Sequence, residues 1–177
     1  VFAELGHYVI GADIDKKKIA NLSKGIMPIY EPGLKELVDR NIKRKRLRFT
    51  SNNKEAIKHA DIIFICVGTP PKATGETDLK YIKKAALEIA KTIDSYKIIV
   101  HKSTVPVETG EQVKNIIKKN IKKNIEFDVV SNPEFLREGT AIKDTCEPDR
   151  IVIGSDSERA TKIMKELYSP IKAPIIV

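Results

Sequence analysis

Four short stretches hold the residue types that can do chemistry, and each follows an apolar run. Asp13-Ile14-Asp15 follows the run at 8–12. Gly68-Thr69-Pro70-Pro71 follows 62–67, and Lys102-Ser103-Thr104-Val105-Pro106 follows 98–100. Ser131-Asn132-Pro133-Glu134-Phe135-Leu136-Arg137-Glu138-Gly139 follows 127–130. Carboxylates can accept hydroxyl protons or act as bases, hydroxyl side chains can hold water, and Gly/Pro-shaped backbone lets a ligand approach closely. Any one stretch is an ordinary turn, because Ser, Asn, Pro and Gly dominate turns. Together they make a site if one fold brings all four run ends to a common edge.

The flanking elements predict such a fold. The runs at 8–12, 62–67, 98–100 and 127–130, with 151–153 and 175–177, are mostly β-branched and continuous rather than alternating, as in strands covered on both faces. Between them lie helical patterns. Leu79, Ile82, Ala86, Ile89 and Ile93 share one face, with Asp78 as the expected N-cap. Ala160, Ile163, Met164 and Leu167 share another, opened by an expected capping box of Ser155 and Glu158. Strand alternating with helix means a parallel sheet with right-handed crossovers, so the expectation is one α/β domain over 1–177, a Rossmann-like doubly wound sheet. Ligands of such sheets bind beyond the carboxyl ends of the strands, where all four stretches fall.

Asp13 carries the most specific expectation. An acidic residue ending the second strand of a dinucleotide fold accepts hydrogen bonds from the adenine ribose, and its charge repels a 2′-phosphate, so the expected cofactor is NAD rather than NADP. The competing role is a helix N-cap, which Asp15 can supply equally well. The glycine-rich turn and first strand of that fold are expected ahead of Val1. The opening Val1-Phe2-Ala3-Glu4-Leu5-Gly6 reads as a helix end with its Gly stop, begins without Met, and does not resemble a signal peptide.

Composition narrows the class. The chain has 177 residues, 41% of them hydrophobic, enough for a packed core. The net charge of +8 raises nucleic-acid binding, but Lys dominates over Arg, there is no Trp, and aromatics make up only 6%. Nucleic-acid readout favours Arg and interleaved aromatics, so no nucleic-acid partner is expected. The densest run, Lys43-Arg44-Lys45-Arg46-Leu47-Arg48, reads as a solvated helix end. No apolar run approaches membrane-spanning length, and a soluble cytoplasmic protein is expected. Two cysteines cannot build a disulfide framework, and no spacing links them to His7, His59 or His101 as metal ligands, so no metal is expected. Cys66 reads as core, and Cys146, among Asp144, Glu147 and Asp149, as a poor nucleophile.

Six motifs in order carry a specific likeness: Gly6-His7 leading to Gly11-Ala12-Asp13-Ile14-Asp15; Pro28-Ile29-Tyr30-Glu31-Pro32-Gly33-Leu34; Val67-Gly68-Thr69-Pro70; Lys102-Ser103-Thr104-Val105-Pro106; Asn132 through Ala141; and Pro148-Asp149-Arg150-Ile151-Val152-Ile153-Gly154. The chain resembles, along its whole length, the amino-terminal domain of the UDP-glucose/GDP-mannose dehydrogenase family. The resemblance implies NAD-dependent oxidation of a nucleotide-sugar C6 alcohol to the carboxylate, through a cysteine thioester. UDP-glucose is the expected sugar nucleotide, with GDP-mannose or an N-acetylated UDP-sugar as alternatives; the competing readings are a single-oxidation hydroxyacid dehydrogenase and, as a non-enzyme, a basic nucleic-acid-binding domain. It implies that Asp13 and Lys18 hold the adenosine ribose and its neighbourhood, and that Val67, Thr69, Pro70, Ser103 and Thr104 line the cofactor. Glu134 would be the acid/base group and Thr104 would position the attacking water. Phe135, Leu136 and Glu138, with Glu134, would contact the sugar nucleotide, Glu138 also approaching the nicotinamide. The resemblance places the nucleophilic cysteine and a sugar-nucleotide domain beyond Val177, and implies a homodimer or larger assembly. Glu31 to Leu34 reads either as a loop over the site or as a helix start with Pro32 in its first turn.

Overall fold

The computed structural model describes residues 1–102, 109–122 and 124–177. Along the chain run β1 (Val9–Ala12), α1 (Lys16–Ser23), α2 (Leu34–Lys43), β2 (Leu47–Thr50), α3 (Asn53–His59), β3 (Ile62–Ile65), α4 (Lys80–Thr92), β4 (Lys97–His101), α5 (Thr109–Asn120), β5 (Phe127–Ser131), α6 (Ala141–Cys146), β6 (Ile151–Val152), α7 (Glu158–Tyr168) and β7 (Ile175–Ile176). The strands pair as β1-β2, β3-β4-β5 and β6-β7, every ladder parallel, so the α/β expectation is met. The residues form two compact units. One comprises Val1–Ala56, Phe135–Asp149 and Pro170–Ala173, and the other Ile57–Glu134, Arg150–Ser169 and Pro174–Val177.

In the second unit, all five residues of β4 are buried, because its neighbours β3 and β5 take up its backbone groups and both its faces are covered. Ile99 joins a core with Ile65, Ile82, Ala86, Ile89, Val113 and Ile117, which brings the apolar stripes of α4 and α5 onto one sheet face. Ile98 and Val100 point to the opposite face by the pleat and are as fully buried. Each such side chain contributes about 2 kcal/mol of transfer free energy. The expected stripe on α4 is the observed one. In α7, Ala160, Met164 and Leu167 are buried while Ile163 is only half-buried.

In the first unit, Gly11 of β1 faces Phe49 of β2 so closely that a Cβ there would lie 2.7 Å from the ring, which requires glycine. Glu4 receives Asn41 Nδ2 at 2.8 Å and Arg40 Nε at 3.2 Å, tying the first turn to α2. The Arg40 guanidinium holds the Glu4 carboxyl below its usual range. The basic run after α2 closes the helix: Arg46 N–H bonds Asn41 O and Lys45 N–H bonds Ile42 O, with Lys45 left-handed at φ 57°.

Several local expectations are corrected. β2 was not among the expected strands; Leu47-Arg48-Phe49-Thr50 is short and half charged or polar, and only pairing with β1 makes it a strand. Cys66 lies one residue past β3 and is exposed, not core, because the ladder ends at Ile65. The α7 cap is Ser157, whose Oγ accepts from Ala160 N, while Ser155 Oγ accepts from Ser157 N and turns the chain into that cap. Leu79 occupies the α4 N-cap position, although Asp78 Oδ1 does accept the Lys80 N–H. Pro32 precedes α2 rather than standing in its first turn, because Gly33, left-handed at φ 78°, is the N-cap.

Candidate functional site

At the carboxyl end of β1, the two aspartates divide the work. Asp15 Oδ1 accepts from Lys17 N at 2.9 Å and Lys18 N at 3.0 Å and so caps α1. The helix therefore makes no demand on Asp13. Asp13 Oδ1 accepts from Asp15 N at 3.0 Å, and its Oδ2 meets Lys18 Nζ at 2.6 Å. The Lys18 ammonium holds the Asp13 carboxyl below its usual range. With 30% of its side chain exposed, Asp13 is an ionised, oriented acceptor with lone pairs to spare. That donor-acceptor chemistry suits a vicinal diol, so these residues fit the ribose end of a dinucleotide.

At the carboxyl ends of β3, β4 and β5, the register aligns Ile65, His101 and Ser131, so Cys66, Lys102 and Asn132 are the next residues out. Cys66, Lys102 and Glu134 are near enough to feel one another's charge. Crowding by protein pushes the Cys66 thiol up, with Glu134 adding to the push and Lys102 opposing it. Burial pulls the Lys102 ammonium down, with Glu134 and Cys66 opposing. Asn132 is 2% exposed: its Nδ2 donates to Val152 O at 2.8 Å, and its Oδ1 accepts from Tyr168 O–H at 2.5 Å. Burial pushes that tyrosine up to about 12. Asn132 thus fixes the point where the chain leaves β5, and Glu134 emerges two residues later, exposed. Val67 and Thr69 are half-buried and Pro70 is exposed, leading into a small hairpin in which Pro71 bridges Thr77. Ser103 and Thr104 lie outside the described residues.

The stretch from Phe135 to Gly139 belongs to the first unit. Phe135, Leu136 and Glu138 are exposed. Asp144 in α6 accepts from Arg137 N at 3.0 Å, Arg137 Nε at 3.1 Å, Arg137 Nη2 at 2.7 Å and Thr140 Oγ1 at 3.0 Å. The Arg137 guanidinium holds the Asp144 carboxyl far below the usual carboxylate range. Glu31 Oε2 accepts from Gly139 N at 2.8 Å. Asp144 is not among the expected site residues. Its signal is Thr140 at i,i+4 to Asp144, one helical turn from the N-cap of α6. The bond between Glu31 and Gly139 spans 108 residues and left no local signal.

Among the described residues, no three His, Cys, Asp or Glu side chains gather as a metal site, and no helix is long and apolar enough to cross a membrane. Residues 1–172 match the model of the UDP-glucose/GDP-mannose dehydrogenase family, NAD-binding domain. The chain is 53% identical over 175 residues to the UDP-glucose 6-dehydrogenase TuaD of Bacillus subtilis, covering 99% of this chain and 38% of that protein. It superimposes on a UDP-glucose dehydrogenase of Pyrobaculum islandicum with a TM-score of 0.96 at 41% identity, covering 99% of this chain and 41% of the other. For a GDP-mannose dehydrogenase of Pseudomonas aeruginosa, crystallised as a ternary complex, the TM-score is 0.95 at 39% identity, covering 99% and 42%. The chain thus spans about two fifths of the length of these relatives. With six sequence motifs in family order, a parallel α/β fold and the family match over 1–172, the chain belongs to the UDP-glucose/GDP-mannose dehydrogenase family, as its NAD-binding domain.

Proposed function

We propose that this domain serves the oxidation of the C6 alcohol of UDP-glucose to the carboxylate of UDP-glucuronate. The observation that carries the reading is the 53% identity to a UDP-glucose 6-dehydrogenase along essentially the whole chain. Bound NAD supplies the hydride acceptor. Asp13 accepts from the adenosine ribose hydroxyls, and Lys18 steadies Asp13 and faces the neighbouring ribose or phosphate. Val67, Thr69, Pro70, Ser103 and Thr104 line the cofactor. Glu138 approaches the nicotinamide side and, with Glu134, Phe135 and Leu136, meets the sugar nucleotide.

The net reaction converts one alcohol, one water and two NAD to one carboxylate, two NADH and three protons. It passes through a thioester on a cysteine other than Cys66 and Cys146. Glu134 takes the proton of the water that attacks the thioester carbonyl, and Thr104 positions that water. Attack needs a base within hydrogen-bond reach of the water, and the exposed position of Glu134 beyond β5 is suited to that. The same reading takes the full-length protein as a cytoplasmic homodimer or larger assembly acting in polysaccharide biosynthesis.

The fold likeness to a GDP-mannose dehydrogenase favours a second reading, with GDP-mannose as substrate. NADH production by the full-length protein with each sugar nucleotide decides between them. UDP-glucose should give two NADH per sugar. Turnover only with GDP-mannose overturns the substrate, and one NADH per sugar overturns the double oxidation.

A further inference from the structure

We infer that Glu31 is a positioning residue for sugar-nucleotide binding: by holding the backbone of Gly139, it sets the place of the Phe135–Glu138 loop. The inference rests on the reading that this loop meets the sugar nucleotide.

The loop is pinned from two sides within one unit. From its own side, Asp144 gathers the backbone and guanidinium of Arg137 and the hydroxyl of Thr140. These partners are within seven residues of Asp144, so they shape the loop but do not locate it relative to the rest of the unit. Location comes from the segment before α2. There Gly33 takes a left-handed conformation, and no side chain caps the helix. The turn leaves the Glu31 side chain outside α2, and its Oε2 accepts the Gly139 N–H at 2.8 Å. Gly139 is itself left-handed at φ 84°, a conformation that aims its N–H without a Cβ penalty. The segments also meet through Ile142, whose Cδ1 would lie 3.8 Å from a Cβ on Gly33.

Immediately before the pinned residues, Phe135 and Leu136 are 53% and 41% exposed. Large apolar side chains held outward on a doubly anchored loop are prepared for a ligand, because the ordering has been done before binding. A charge-assisted bond donated by one backbone amide to a carboxylate is a strong way to anchor a loop. The role is one of placement, since Glu31 is engaged with Gly139.

The test uses the full-length protein with Glu31→Ala, Glu31→Asp and Glu31→Gln, steady-state kinetics in both substrates, and melting curves. Glu31→Ala should raise KM for UDP-glucose ~10-fold, the effect of one charge-assisted hydrogen bond, with kcat and KM for NAD changed less than about twofold. Glu31→Gln keeps a neutral acceptor at the same reach and should recover part of that loss. Glu31→Asp, one methylene short, should behave like Glu31→Ala and carries the test if the alanine variant does not fold. An unchanged KM for UDP-glucose in a folded Ala or Asp variant overturns the inference. So does an equal rise in KM for NAD, or a Gln variant as impaired as the Ala variant. Leu136→Ala separates the two levels. If it leaves KM for UDP-glucose unmoved, the reading of the loop as a sugar contact fails. If it raises KM while Glu31→Ala does not, only the role of Glu31 fails.

Discussion

The residues after β1 and the residues after β5 are both strand-end segments, yet they are held in opposite ways. Asp13, Asp15 and Lys18 organise themselves over six residues, with one carboxylate capping α1 and the other paired to a lysine in the helix's first turn. After β5, Asn132 is locked by Val152 and Tyr168, Arg137 by Asp144, and Gly139 by Glu31. The first segment has its geometry built into local spacing. Apart from the local Arg137–Asp144 pair, the second acquires its geometry from elements 20 to 108 residues away in the chain. A local motif can be damaged one side chain at a time, whereas a segment assembled from afar can be loosened from several points.

The largest effect should come from the chemistry of the second segment. Glu134→Gln keeps shape and removes basicity, and is expected to lower kcat of the full-length protein by ~10²–10⁴-fold with little change in KM for UDP-glucose. Accumulated thioester in a rapid-quench experiment would sharpen the assignment, and an unchanged kcat would return Glu134 to a turn residue. In the first segment, Asp13→Ala should weaken NAD binding on the order of 10–100-fold, by loss of charge-assisted hydrogen bonds, and narrow the preference over NADP. Isothermal titration with both cofactors checks this, and equal affinities in the unmodified protein would refute it.

Asp144→Ala tests the second segment from its local anchor. KM for UDP-glucose should rise ~10-fold while NAD affinity holds, and the Arg137 amide should exchange faster with deuterium.

A smaller, pH-dependent effect belongs to β4, which supports the second segment. His101 is 5% exposed, and burial lowers its pKa below the ordinary ~6.5. The unfolded chain then binds a proton that the folded one refuses, so stability falls as pH drops from about 6.5 toward the folded-state value. The slope for this one group is at most ~1.4 kcal/mol per pH unit. Urea titrations at pH 7.5 and 5.5 should show that loss, and His101→Gln should make it shallower.

The smallest effect is expected for Cys66→Ala with Cys146→Ser. Both thiols are exposed, so no core cavity opens, and turnover and melting temperature should stay near those of the parent. A collapse of turnover in the folded double variant would make one of them the nucleophile.

The parallel α/β order, the runs that form β3, β4 and β5, the buried stripe of α4 and the carboxylate at the end of β1 are legible in the amino-acid order alone. These depend on periodicity and on contacts a few residues long, which spacing records directly. That order also offered both Asp13 and Asp15 as the α1 cap, and two readings of the segment from Glu31 to Leu34. Local backbone geometry gave Asp15 the cap, and tertiary structure set the rest: Gly33 opened α2 after Glu31. Tertiary structure made a strand of Leu47–Thr50, because half-polar residues enter a ladder only when a partner such as β1 supplies the hydrogen bonds. It left Cys66 exposed, because where a strand ends depends on its neighbours' register rather than on its own apolar run. And it joined Glu31 to Gly139, a contact set by the path of the chain between them, which no local pattern encodes.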